Sequence, residues 1–178
     1  MALKATIYKL ELSIADMDRN YYETHNLTIA RHPSETDERM MVRIMAFALN
    51  AHERLQFTKG LSTEDEPDLW QKSLSDEIEL WIDLGMPSEK RIRQGSNKSM
   101  KSMVYCYGGR TVQPWWDKMS KMVFRFDNLS VFYIEDQYTQ TLEKMAERSM
   151  QLQVNIQDGE VMVTNGTDSV DFKPMKLA

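Results

Sequence analysis

The sequence predicts a mixed α/β protein on three observations. Residues 5–14 alternate apolar and polar side chains, and 21–30 reads as a returning strand carrying Leu27 and Ile29, together a half-buried hairpin. The middle of the chain reads as helix, three strands, helix, strand. The tail is divided by Asp158-Gly159 and Asn165-Gly166, two strong hairpin turns.

Taken in order, Tyr8, Leu10, Leu12 and Ile14 form one face of the first strand, and Asp16 to Asn20 is a polar turn. The return strand needs a larger partner, because an isolated hairpin is not stable in water. Ser34 followed by Asp37 resembles a capping box, and Met41, Ile44, Met45, Ala48 and Leu49 give the apolar stripe of a helix from about Glu35 to about Ala51. Leu55 to Lys59 is a short strand ended by Gly60. Pro67-Asp68-Leu69-Trp70 begins another, since Pro is acceptable only at a strand start or edge.

Glu77 to Gly85 is the central strand. Ile78, Leu80, Ile82 and Leu84 point one way, and Glu79, Trp81 and Asp83 the other. Pro87 and Ser88 mark a helix start, and Gly95-Ser96-Asn97 is read as its end. Met103 to Tyr107 is a strand, Gln113 to Met122 a helix, Leu129 to Ile134 a buried strand and Glu135 to Arg148 a helix. With no repeat and no low-complexity linker, the expectation is a single domain over 1–178. Its core spans about 34–110, with an N-terminal hairpin at 3–31 and C-terminal additions over 111–178.

Composition narrows the class. With 42% hydrophobic and 28% charged residues, the chain is an ordinary globular protein and not a disordered one. No apolar run approaches the ~20 residues of a membrane span, and no signal-peptide core is present. A single cysteine, Cys106, excludes an internal disulfide framework and a cysteine-rich zinc module, so the expected compartment is the cytoplasm. Phosphate-loop, dinucleotide and nucleophile-elbow motifs are absent, and His25, His32 and His52 lack metal-ligand spacing.

The net charge of −5 hides an asymmetry. From Ser62 to Asp83 eight acids face Lys72 alone. From Glu89 to Arg125 nine bases (Lys90, Arg91, Arg93, Lys98, Lys101, Arg110, Lys118, Lys121, Arg125) face Glu89 and Asp117. An acidic segment that could hold cations beside a basic one that could meet phosphates suits an enzyme acting on a polyanion. Unrelated surface charges produce the same pattern.

The candidate chemistry lies in carboxylates. Asp83 sits near the end of an apolar strand, where a charge is costly unless paired, protonated or bound to a metal. Magnesium or manganese takes hard oxygen ligands, so Asp68 and Asp83 are the expected metal ligands, with Glu38 assisting from a covering helix. On helix statistics alone the favoured reading of Glu38 is a first-turn acid pairing with Arg39 or Arg43.

The element order and these residues resemble the PD-(D/E)XK nuclease core, a restriction-endonuclease-like fold. Its Pro-Asp looks like Pro67-Asp68, and its second acid like Asp83. Longer runs resemble the bacterial YaeQ family: His-Pro-Ser-Glu-Thr-Asp-Glu-Arg-Met-Met (32–41), Arg-Leu-Gln-Phe-Thr-Lys-Gly-Leu (54–61), Asp-Glu-Pro-Asp-Leu-Trp (65–70), Ile-Glu-Leu-Trp-Ile-Asp-Leu-Gly (78–85) and Asn-Leu-Ser-Val-Phe-Tyr (128–133). The resemblance implies the fold and not a reaction. It also exposes a departure: where the nuclease motif carries a lysine two residues after the acid, this chain has Gly85. Lys90 is the nearest substitute, while Arg91 and Arg93 can stabilise charge but are poor proton acceptors. The expected function is therefore a Mg- or Mn-dependent nuclease using Asp68, Asp83, Glu38 and Lys90, meeting nucleic acid through the basic segment 90–125. The alternative is a non-catalytic module that binds nucleic acid or protein on the same scaffold.

Overall fold

The computed structural model describes residues 4–59 and 64–178; Gly60, expected to end a strand, lies outside the described residues. The chain divides into two compact units: Met1–Leu49 with Gln137–Pro174, and Asn50–Asp136 with Met175–Ala178. The helix that sequence order grouped with the central strands thus belongs to the first unit.

That unit is a five-stranded mixed sheet. The hairpin of β1 (Thr6–Asp16) and β2 (Tyr21–Arg31) forms as expected, paired without interruption from Thr6↔Arg31 to Asp16↔Tyr21. The larger partner it needs is β8 (Ser149–Gln157), which runs parallel to β1. β9 (Glu160–Thr164) and β10 (Ser169–Phe172) complete the order β10-β9-β8-β1-β2. Both tail turns are where the dipeptides put them, and Asp18 accepts from the backbone N–H groups of Asp158 and Gly159 at 2.7 and 2.8 Å.

Helix α1 (Asp37–Leu49) is buried at every position from Met40 to Ala48, with Phe47 edge-on to His25. Its cap differs from the expected one. Thr36 Oγ1 accepts from the Arg39 N–H, while Ser34 is turned to His32. Glu35, which the sequence placed inside the helix, folds back as a buried acceptor for Arg39 and Arg43, at 2.8 and 2.7 Å. Helix α4 (Asp136–Lys144) ends earlier than Arg148, because the chain must extend into β8 from Ser149.

The second unit carries a six-stranded sheet: β3 (Leu55–Phe57), β4 (Leu69–Lys72), β5 (Ile78–Leu84), β6 (Lys101–Cys106), β7 (Leu129–Tyr133) and β11 (Met175–Lys176), in the order β11-β7-β6-β5-β4-β3. β5, β6 and β7 are parallel; α2 (Glu89–Lys98) and α3 (Val112–Val123) are their crossovers. Ile92 from α2 and Val112, Met119, Met122 and Val123 from α3 pack with Val104, Cys106 and Val131 of the sheet. Trp115 and Trp116 lie against this core. Cys106 is fully buried, and burial pushes its thiol up to about 12, which makes it an inert core residue.

Gly95 does not end α2, which continues to Lys98. A Cβ on Gly95 would lie 2.6 Å from the Trp81 indole, so the glycine exists for close approach of helix to strand.

Removing Glu35 takes the carboxylate away from the buried Arg43 and from Arg39 together. Glu35→Ala is expected to destabilise the protein by about 3 kcal/mol, and Thr36→Ala by about 1 kcal/mol, both read from urea denaturation.

Candidate functional site

The site is assembled by β4, β5 and α2. Trp81 and Asp83 are two residues apart on one face of β5, so their side chains are neighbours. The Trp81 indole N–H donates to Asp83 Oδ2 at 2.8 Å, a contact that Gly95 leaves room for. Ser88 caps α2 by accepting from the Arg91 N–H, which fixes Arg91 in the first turn above the strand end. Arg91 then donates to Asp83 Oδ1 from Nε at 3.2 Å and from Nη2 at 3.1 Å. The same guanidinium reaches the acidic loop, donating to the Glu64 carbonyl at 2.9 Å and to the Glu66 carbonyl.

Asp68 stands just before β4. Its N–H donates to the Ile82 carbonyl at 3.0 Å, and its Oδ2 accepts from the Leu84 N–H at 2.9 Å. Both acids are 3% exposed. Burial pushes the Asp83 carboxyl up to about 6, Arg91 and Trp81 draw it back down, and the nearby charge of Asp68 adds to the rise. The two acids that the sequence singled out are therefore brought within electrostatic reach of each other.

Each remaining candidate sits within its own unit. Glu38 lies on α1 of the first unit, where Thr139 Oγ1 donates to it at 2.9 Å; its pairing with Arg39 or Arg43 does not form, because Glu35 takes both. Lys90 is exposed at the start of α2 and has no ion pair among the described residues. Gly85 has φ +83, a backbone state that side-chain-bearing residues rarely adopt, so a lysine there would be strained. Arg91 and Trp81 are the partners that sequence reasoning underweighted. The alternation of β5 already put the indole beside the carboxylate.

The donor set is a poor match for a divalent ion. Both Asp83 oxygens accept hydrogen bonds, one of them from a guanidinium that already supplies the positive charge. Among the described residues no group of three His, Cys, Asp or Glu side chains could hold a metal. A metal at Asp83 would have to displace Arg91.

The basic residues are organised differently. Of the nine, Arg91 pairs with Asp83 and Arg93 with Glu89, which leaves Lys90, Lys98, Lys101, Arg110, Lys118, Lys121 and Arg125 exposed and without ion pairs among the described residues. The parallel crossovers put Lys98, at the end of α2, and Lys101, at the start of β6, at one end of the layer. Lys121 in the last turn of α3 and Arg125 just beyond it gather at that same end. Asp83 is at the opposite end, near the end of β5. A helix of ten residues separates them by about 15 Å.

Two outcomes test this geometry. The folded-state value of Asp83 lies above its unfolded one, so its contribution to stability is complete below about pH 4. That contribution is lost as the pH rises through about 6. Wild type should lose up to about 3 kcal/mol more than Asp83→Asn across that window, measured as urea-denaturation free energies at successive pH values. Gly95→Ala should cost about 1–3 kcal/mol by forcing the indole off the helix, and should shift the Trp81 indole N–H resonance.

The family profile for YaeQ protein matches residues 1–174. The uncharacterized protein YaeQ of Salmonella typhi is 44% identical over 173 residues, covering 97% of this chain and 96% of that one. Its counterpart from Escherichia coli (strain K12) is 43% identical over 171 residues, covering 96% and 94%. Two crystal structures of YaeQ proteins share the fold. The one from Xanthomonas axonopodis pv. citri has a TM-score of 0.94 at 47% identity, over 97% of this chain and 98% of that one. The one from Pseudomonas syringae has a TM-score of 0.94 at 36% identity, over 98% and 96%. With nearly the whole length matched at such identities, the chain belongs to the YaeQ family.

Proposed function

We propose that the chain is a non-catalytic binding module, resembling a nuclease scaffold, that holds nucleic acid through the basic end of its α2–α3 layer. The observation that carries this reading is the distribution of charge. Lys98, Lys101, Lys121 and Arg125 are exposed, gathered at one end and free of ion pairs among the described residues, as phosphate contacts need to be. The acid pair supports the non-catalytic half of the proposal. Arg91 already satisfies Asp83, and Gly85 occupies the position where the nuclease motif has its lysine.

Metal-dependent hydrolysis of phosphodiesters is the second reading, with Mg or Mn at Asp68 and Asp83 and Lys90 nearby. One observation favours it: a carboxyl raised to about 6 beside a second acid gains from a stronger cation. The metal would supply Lewis-acid polarisation of the scissile phosphate.

Fluorescence anisotropy with labelled single- and double-stranded DNA and RNA distinguishes the readings. Binding should weaken steeply with salt. Replacing Lys98, Lys101, Lys121 and Arg125 together by Glu should lower affinity at least about tenfold and make the log–log salt slope shallower by about 3. Absence of binding at about 50 mM salt, or binding indifferent to the four substitutions, overturns the proposal. Cleavage in Mg or Mn that disappears in Asp83→Ala would replace it with the hydrolytic reading.

A further inference from the structure

The two sheets have four edge strands, and three are short: β10 has four residues, β3 three and β11 two. The fourth is β2, with eleven. Short length, prolines, bulges and charged side chains are what keep a sheet edge from pairing with another chain. On its solvent face β2 has none of these. Its register with β1 runs without a bulge, it contains no proline or lysine, and Tyr22, Thr24, Asn26, Thr28 and Ala30 on that face are exposed and uncharged.

The ladder fixes which backbone groups are open. The Lys9 N–H donates to the Arg148 carbonyl at 2.8 Å, so odd-numbered residues of β1 turn toward β8 and even-numbered ones toward β2. Leu10 stands opposite Leu27 and Leu12 opposite His25, so odd-numbered residues of β2 bond to β1 and even-numbered ones turn outward. Arg43 fits this direction, since it donates to the carbonyl of the outward-turned Ala30 at 3.1 Å. The N–H and C=O groups of Tyr22, Thr24, Asn26 and Thr28 remain, two on each residue, with no backbone or side-chain partner among the described residues.

The same strand from a second copy, run antiparallel, completes this ladder. We propose that the protein forms a symmetric dimer in which β2 pairs with β2 of a second copy across a two-fold axis at His25. This register joins Tyr22 of one copy to Thr28 of the other and Thr24 to Asn26. Every open group on both edges is then used, and the Ala30 carbonyl stays with Arg43. Charge selects the same arrangement. Parallel in-register pairing would set Glu23 against its own copy, whereas the antiparallel register sets it opposite Leu27. Burial holds the His25 imidazole below its ordinary value, so at pH 7 it is neutral and no like charges meet at the axis. The dimer and the nucleic-acid reading are independent of each other.

Sedimentation equilibrium of the full chain over a concentration series should show a monomer–dimer equilibrium. Asn26→Pro removes one outward N–H per copy at an edge, where proline is tolerated. Thr24→Lys sets two ammonium groups across the junction. Each should weaken the dimer at least about tenfold. Thr24→Lys alters an exposed side chain, so it remains informative if Asn26→Pro does not fold. In hydrogen exchange, the Tyr22, Thr24, Asn26 and Thr28 amides should gain protection as concentration rises, while those of Glu23, His25 and Leu27 are already protected in the monomer. A monomer throughout the series, a dimer indifferent to Thr24→Lys, or no gain of protection at those four amides overturns the proposal.

Discussion

The carboxylate of Asp83, 3% exposed at the end of β5, is the constraint around which the second unit is built. A charge in that position is expensive unless its oxygens are satisfied and its sign is balanced. Trp81 satisfies one oxygen from the same strand, and this requires α2 to pass close enough that only glycine fits at position 95. Arg91 balances the other, and this requires the helix to start at Ser88 so that the guanidinium projects over the strand end. Having reached Asp83, Arg91 has donors left for the Glu64 and Glu66 carbonyls. One cation thus joins helix, strand and acidic loop.

This closure changes how the acid pair is understood. Asp68 and Asp83 share an environment in which each opposes the other's charge, an arrangement that catalytic dyads use. Here the compensating charge comes from the chain itself, and the position that could offer a proton acceptor is a glycine in a left-handed backbone state. The bases that remain available lie at the other end of the helical layer, a separation fixed by the parallel crossovers.

The first unit follows a different logic. Its sheet is a long hairpin extended by a parallel strand from the far end of the sequence, and α1 is buried over most of its length. Its buried charges are paired: Glu35 meets Arg43, and Asp16 meets Arg19. Thr36 is free to cap the helix because Glu35 has been turned inward.

Local sequence determined the elements. Alternation specified β1 and β5, turn dipeptides specified the tail hairpins, and Pro87-Ser88 specified the start of α2, because each depends on backbone preferences within a few residues. It also put Trp81 beside Asp83, marked Asp83 as a costly acid and named Asp68 as its companion. Tertiary structure decided the rest. The pairing of β1 with β8 joins segments about 140 residues apart, which no local pattern encodes. Gly95 looked like a helix stop because the indole that needs its space comes from a different element. Which cation meets Asp83, and which acid meets Arg43, was settled by packing: a charge takes the partner that the fold brings within hydrogen-bonding distance, and sequence spacing does not measure that distance.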